Sequence, residues 1–324
     1  PEILGIGEMM NFPGAVFGDP EVLSKAMLSG GERPIDGHAP GLSGKKLSAY
    51  ILAGPMTDHE CTVIEEAREK LARGMKILIR EGSTARNLEA LISLINPTTE
   101  RRIMFASDDC RSGDLINHGH LDYILRQAVG MGLDPMIALR LITLNPSETY
   151  NLKGRGAIVP GAIADLVALN DLKKFEVKHV WKRGTMVSVS EGNTYHLKPQ
   201  IPVGISGPLP VPEVTTADLQ IKDEGCEVRV IGLVPDQIVT ENLTKSLPVS
   251  NGFLQSDPDQ DIVKLVVVER HTGSGGKAIG FLKGLGISGG AIGSTVAHDS
   301  HNIIVAGDND ESIISAIKHL TDIG

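Results

Sequence analysis

The chain is short of the residues that mark several classes of protein. It has three cysteines, Cys61, Cys110 and Cys226, among 324 residues. An odd and widely spaced set excludes a disulfide framework and a paired-cysteine zinc knuckle, and points to a reducing cytoplasm. Aromatic residues make up only 3%, and no lysine–arginine cluster is interleaved with them. With a formal net charge of -9, the chain is ill suited to a nucleic-acid backbone. No apolar run reaches the ~18 residues that suggest a membrane span. The opening stretch PEILGIGEMMNFPG has no basic segment leading into an apolar one, so no secretory leader is expected. Turn formers are plentiful instead, with 37 glycines and 18 prolines, in a chain long enough for two domains.

Short apolar runs alternate with amphipathic stretches up to residue 132. ILGIGE (3–8), RPIDGH (33–38), PMTDHE (55–60), KILIREGS (76–83) and RIMFASDD (102–109) read as strands. Between and after them lie five helical segments. Residues 19–30 start with Asp19 as cap and Pro20 at the first helical position, and 43–54 with Ser43 as cap. Residues 62–74 have the capping-box spacing of Thr62 and Glu65; 84–95 and 114–132 follow. Such alternation predicts a parallel sheet, either open or closed into a barrel. The strand ends favour the barrel, since each carries a polar or ionisable residue: Glu8, His38, His59, Arg80 with Glu81, and Asp108 with Asp109. In a (β/α)8 barrel these ends meet at one mouth, whereas an open sheet spreads them along a line.

A further helix, begun by Asp134 and Pro135, precedes the Val-, Ile- and Gly-rich segment 155–190, which predicts a small β module. The Pro/Gly-rich stretch IPVGISGPLPVPEV (201–214) reads as a linker to an α+β domain. That domain has strands EVRVIGLV, DIVKLVVVER and NIIVAG, and helices expected near 276–285 and 311–322. The expected domains are thus a barrel portion over 1–150, β module and linker over 151–200, and a C-terminal domain over 201–324.

Two histidines and two carboxylates, Glu8, His38, His59 and Asp108, can surround one or two divalent metals. Such a centre lowers the pKa of bound water from about 15.7 toward 7, and a bridging carboxylate can hold a second ion roughly 3.5–4 Å from the first. Each residue alone could equally be a core histidine or a helix cap; their shared register singles them out. Arg80 and Glu81 could meet a ring nitrogen and an N–H of a substrate, or orient the loop as an ion pair. Ser83 could offer a substrate hydroxyl or cap a helix. His298, Asp299 and His301 could ligate metal, wall an active site from the second domain, or simply form a loop. GSGGKA (273–278) lacks the glycine–lysine spacing of a phosphate loop and carries Ala278 where Ser or Thr is needed, so it reads as a turn opening a helix. Cys61, two residues past His59 and so able to share its side of a strand, could suggest a Cys–His nucleophile, but metal ligands are expected there and that reading is disfavoured.

GEMMNFPG (7–14), DGHAPGLSG (36–44), TDHECT (57–62), IREGS (79–83), SDD (107–109) and GAIVPGAIADLV (156–167), with ERHTGSGGKAIGFLKGLGI (269–287) and VAHDSHNIIV (296–305), resemble the adenine deaminases of the amidohydrolase superfamily. The resemblance runs through nearly the whole chain. It implies strands four to eight of a (β/α)8 TIM-like amidohydrolase barrel, an incomplete one, with a small β module and a separate C-terminal α+β domain. Glu8 matches the family's metal-bridging carboxylate on strand four, and His38 and His59 the ligands on strands five and six. Asp108 matches the strand-eight aspartate that binds metal and shuttles a proton, with Asp109 as the alternative if the motif is offset by one. The implied chemistry is attack of a metal-activated hydroxide on C6 of adenine, giving hypoxanthine and ammonia in purine salvage. Asp108, Glu8 and His59 are the implied catalytic set. Arg80, Glu81, Ser83, His298, Asp299 and His301 are the substrate-binding candidates. The expected cofactor is a divalent, binuclear centre of Mn, Fe or Zn, and the expected partners are adenine and a second copy in a homodimer. Alternatives are another amidohydrolase acting on a cyclic amide or aminopurine, or a catalytically inactive truncated subunit. The family's His-x-His pair has no counterpart before Glu8; His118 and His120 fall in helical sequence. These 324 residues alone are therefore not expected to turn adenine over.

Overall fold

The computed structural model describes residues 3–189, 207–298 and 300–324. Asp299 and the linker residues 201–206 lie outside the described residues. The chain divides into two units, Pro1–Tyr195 and His196–Gly324.

In the first unit, parallel strands β1 (Ile6–Met9), β2 (Ile35–Gly37), β3 (Thr57–Asp58), β4 (Lys76–Arg80) and β5 (Ile103–Ala106) lie side by side in chain order. Ladders join β1 to β2, β3 to β4 and β4 to β5. Between β2 and β3, Met56 N donates to Ile35 O at 3.0 Å and Gly37 N to Thr57 Oγ1 at 3.2 Å. Gly37 makes that approach possible, since a Cβ there would stand 2.1 Å from Thr57 O. Among the described residues these five parallel strands keep chain order without a switch point, and the wall is the strand–helix arc of a (β/α)8 barrel.

Among the described residues of this unit, the α-helices are α1 (Phe12–Phe17), α2 (Pro20–Met27), α3 (Gly44–Leu52), α4 (Ile64–Ala72), α5 (Leu88–Leu91), α6 (Ser112–Asn117), α7 (Leu121–Gly130), α8 (Pro135–Ile142) and α9 (Leu144–Thr149). Asp19 accepts from the Glu21 and Val22 amides, and Asp134 from those of Met136 and Ile137. Both aspartates thus cap as expected, each ahead of a proline that needs no amide partner. Ile77, Ile79, Ile103 and Phe105 of β4 and β5 pack with Leu88, Leu91, Ile124 and Leu141. A second cluster sets Met9 and Ile35 against Val22, Ala26, Leu47 and Tyr50. Burial of each such aliphatic side chain is worth roughly 1.5–3 kcal/mol.

Several helix ends differ from expectation. Ser43 makes no side-chain cap; Gly44 N instead donates to Glu69 Oε1 at 2.9 Å, so a carboxylate of α4 satisfies the first turn of α3. Thr62 and Glu65 form no capping box, because α4 starts one residue later with Val63 at its N-cap. The helix expected over 84–95 is only α5 followed by a 3-10 turn, Ile92–Leu94. That over 114–132 breaks at His118-Gly119-His120, where Gly119 has φ 97. There the His120 ring shares a 2.7 Å hydrogen bond with Ser107 Oγ. The short helix α1 was not legible in the sequence; Asn11 and Pro13 begin it.

Strands β6 (Leu166–Leu169), β7 (Val177–Lys182) and β8 (Thr185–Val189) form an antiparallel module. Asp165 anchors it by accepting from Lys182 Nζ at 2.7 Å, Arg183 N at 2.9 Å and Arg155 Nε at 3.2 Å. The Lys182 ammonium, with the Arg183 amide, holds the Asp165 carboxyl down at about 2, from an ordinary 3.8. A carboxyl depressed on folding stabilises fully above its unfolded pKa, and that contribution fades as pH falls through the folded value. Amide protection in 166–187, corrected for the intrinsic exchange rate, is therefore expected to fall between pH 4 and about 2 in the wild type. An Asp165→Asn variant should lose that pH dependence; identical profiles would show that Asp165 carries none of it.

The second unit is a mixed six-stranded sheet. Its strands are β9 (Val228–Leu233), β10 (Thr240–Lys245), β13 (Ile262–Val268), β14 (Lys277–Lys283), β15 (Ala291–Ser294) and β16 (Ile303–Gly307), and a two-stranded ribbon, β11 (Val249–Ser250) and β12 (Phe253–Leu254), stands apart. The order is β10-β9-β14-β13-β16-β15. Helix α10 (Asp310–Ile323) packs Ile313 and Ile317 on Val266, Val268, Ile303 and Val305. The helix expected near 276–285 is the strand β14, seated between β9 and β13. A short apolar run does not distinguish strand from helix by its period, and pairing on both edges decides it. GSGGKA accordingly opens a strand; Glu269 gathers its turn by accepting from Thr272 N at 2.8 Å and Ser274 Oγ at 2.9 Å. No helix among the described residues is long and apolar enough to cross a membrane.

Candidate metal centre

Glu8 lies on β1, His38 directly follows β2, His59 directly follows β3, Arg80 ends β4, and Asp108 stands two residues past β5. A common polarity of parallel strands delivers them to one end of the arc. His38 Nδ1 is 3.1 Å from Glu8 Oε2, and His59 Nε2 is 3.7 Å from the same oxygen. His59 Nε2 is also 3.2 Å from Asp108 Oδ2. The two imidazole rings meet edge to face with centroids 5.4 Å apart. Asp108 has φ 53, a left-handed backbone that aspartate tolerates better than most side chains, and its Oδ1 accepts from Asp109 N at 2.7 Å.

Glu60 completes the cluster. Its side chain is fully buried, with Oε1 at 3.1 Å from His59 Nε2, 3.6 Å from His38 Nδ1 and 2.5 Å from Arg80 Nη1. Arg80, also buried, reaches Asp108 Oδ2 at 3.4 Å. Burial raises the Glu60 carboxyl, but the His59 hydrogen bond and the charges of Arg80, His59 and His38 outweigh it and hold the group low. Burial likewise pushes His59 down, and Glu60, Glu8 and Asp108 overcome it, so the imidazole binds a proton more tightly than usual.

Sequence reading missed Glu60. Alternation along a strand puts it opposite His59, but β3 ends at Asp58, and past that point both side chains reach the same mouth. Of the other sequence candidates, Glu81 Oε2 accepts from Leu88 N at 3.1 Å. Ser83 Oγ accepts from Arg111 N at 2.8 Å and donates to Asp114. A Cβ on Gly82 would lie 2.2 Å from Ser107 O, so the loops after β4 and β5 touch there. His298 and His301 belong to the second unit, where the His301 carbonyl accepts from Arg270 Nε. Cys61 is buried, donates to Asp58 Oδ2 at 3.3 Å, and has its thiol pKa pushed up by burial, so it is no nucleophile.

Glu8, His38 and His59 present ligand atoms within 4.8 Å of one another, as do His59, Glu60 and Asp108. Nitrogen and carboxylate donors in this number are the set that holds a divalent metal ion. Glu60 Oε2 is buried without a hydrogen-bond partner, a costly condition that a cation in the cluster relieves.

A model of the Amidohydrolase family matches residues 19–187, and one of the adenine deaminase C-terminal domain matches 237–324. Over 100% of the chain it is 44% identical to an adenine deaminase of Dehalococcoides mccartyi, covering 56% of that protein. It is 43% identical to one of Desulfatibacillum aliphaticivorans, again over 100% of the chain and 57% of the relative. A third, from Clostridium acetobutylicum, is 41% identical over 99% of the chain and 57% of its own length. The chain thus spans rather more than half the length of the curated relatives it matches.

Proposed function

This chain belongs to the amidohydrolase family, and from that premise we propose that it carries the catalytic mouth of a metal-dependent adenine deaminase. The reaction is adenine plus water giving hypoxanthine plus ammonia, in purine salvage. The observation behind this reading is the convergence of Glu8, His38, His59 and Asp108 at one end of four parallel strands, in a chain whose similar proteins bear the name adenine deaminase.

These four residues are the proposed ligands of one or two Mn, Fe or Zn ions. When bound, such a metal makes water acidic enough to act as a nucleophile near neutral pH. Asp108 takes the proton as the C6–O bond forms and returns it to the departing amino nitrogen as the C6–N bond breaks. Glu8 and His59 hold the charge balance around it. Arg80, buried between Glu60 and Asp108, keeps the Asp108 carboxylate aimed. Glu81 and Ser83, at the loop after β4, are the proposed contacts for the purine edge. Cytoplasm suits a chain whose three cysteines are free, and a homodimer is the proposed assembly.

The test uses the protein at its full encoded length, loaded with Mn(II), with hypoxanthine and ammonia measured together. Release of both in equal amounts is expected. A metal-loaded protein that leaves adenine untouched ends this reading.

A further inference from the structure

Behind the two histidines lies a second cluster that the reaction does not use. Asp58, Cys61 and Glu66 also bring ligand atoms within 4.8 Å of one another, yet a cation already sits among them. Lys70 of α4 is completely buried, and its Nζ donates to Asp58 Oδ2 at 2.9 Å, Glu66 Oε1 at 2.6 Å and Ala39 O at 2.7 Å. Asp58 uses its other oxygen to accept from Ala39 N at 2.8 Å. The carboxylate and the ammonium therefore grip both backbone groups of Ala39. Ala39 is the residue after His38, and Asp58 is the residue before His59. Glu66 extends the grip by accepting from Gly41 N at 2.8 Å.

We propose that Lys70 is a positioning residue for the metal centre: together with Asp58 it fixes the separation of His38 and His59. The geometry makes this more specific than general support. Hydrophobic residues of similar volume in place of the whole charged network would fill the same space, and buried ion pairs are commonly replaceable in that way without loss of stability. What an apolar residue cannot do is hold Ala39 by its carbonyl while keeping Asp58 turned toward the Ala39 amide. The remaining ionisable neighbour, Cys61, donates its thiol to the same Asp58 oxygen and cannot replace the ammonium. Tyr50 does the corresponding work on the other side: its hydroxyl donates to Met9 O at 2.7 Å and accepts from His38 N at 2.9 Å. His38 is thereby tied to the strand of Glu8 by a phenol and to the strand of His59 by a buried lysine.

The inference rests on the metal-centre reading above, and its test separates the two. In the full-length protein, Lys70→Met strands the buried Asp58 carboxylate and the partly buried Glu66 one, and is expected to weaken the fold. The triple variant Lys70→Met/Asp58→Asn/Glu66→Gln removes the charges together and is expected to fold. Metal affinity of the apo-protein is measured with Mn(II) against a competing chelator, and ligand geometry by the visible spectrum after loading with Co(II). Removing groups that orient ligands typically costs about 10- to 100-fold in metal affinity; that loss, with a changed Co(II) spectrum, is expected of the triple variant. Another buried lysine, Lys264, which meets the half-buried Asp310 at 2.5 Å in the other unit, supplies the control: Lys264→Met/Asp310→Asn should leave affinity and spectrum unchanged. A folded triple variant with wild-type affinity and spectrum overturns the proposal, and so does a triple variant that fails to fold, since the network would then support the fold rather than the spacing. A wild type that binds neither Mn(II) nor Co(II) overturns the metal-centre reading and this inference with it.

Discussion

In the full-length protein, an Asp108→Asn variant is expected to keep its fold, and its metal through the other proposed ligands Glu8, His38 and His59, while kcat for the proposed substrate adenine falls roughly 100- to 10,000-fold, the range for loss of a positioned general acid–base group. The substitution is close to isosteric. Asparagine tolerates the left-handed backbone at this position, where φ is 53. Its amide oxygen can still accept from Asp109 N, as Asp108 Oδ1 does at 2.7 Å. What is lost is a carboxylate that can take a proton and give it back. Steady-state kinetics with metal content measured on the same samples reads the result. Wild-type kcat in a metal-replete variant would remove Asp108 from the proton path, and coincident loss of metal and activity would make it a ligand only.

The second large effect concerns stability. Arg80 is about 5% exposed and Glu60 not at all, so Arg80→Met leaves a buried carboxylate without its principal cationic partner. Breaking a buried pair from one side costs about 3–5 kcal/mol, more than the intact pair contributes, because the desolvation of the survivor is no longer compensated. For a unit of this size that corresponds to a fall in Tm of roughly 10 °C. The double variant Arg80→Met/Glu60→Gln should recover most of the loss. Calorimetry on the three proteins decides it: equal, small shifts for single and double variants would mean that solvent or a neighbouring histidine already compensates Glu60.

The barrel arc and the convergence of its strand-end residues were legible because both follow short-range rules. A strand that ends in histidine or aspartate, repeated in register, needs only chain polarity to bring Glu8, His38, His59 and Asp108 together. Asp19 and Asp134 cap their helices by contacts within three residues. Misreadings arose where a distant partner decided the outcome. Ser43 lost its capping role to Glu69 from another helix. Residues 277–283 became a strand because β9 and β13 offered edges on both sides. Glu60 escaped notice because the length of β3, two residues, determines which way it faces, and strand length is set by sheet pairing. Nothing in the spacing of charges along 62–74 distinguishes Lys70 from its neighbours, and only the fold shows it sealed inside.

Gly37 carries a related lesson for mutational surveys of this protein. It ligates nothing, titrates nothing and contributes no side chain to any core. Yet the backbones that deliver the two histidines pass each other at its Cα, with Thr57 O occupying the place of a Cβ. A single methyl added there would prise apart the two proposed ligands while leaving every donor atom present. In a screen scored by turnover, Gly37 would rank with the histidines, and inspection of chemical function alone would offer no reason why.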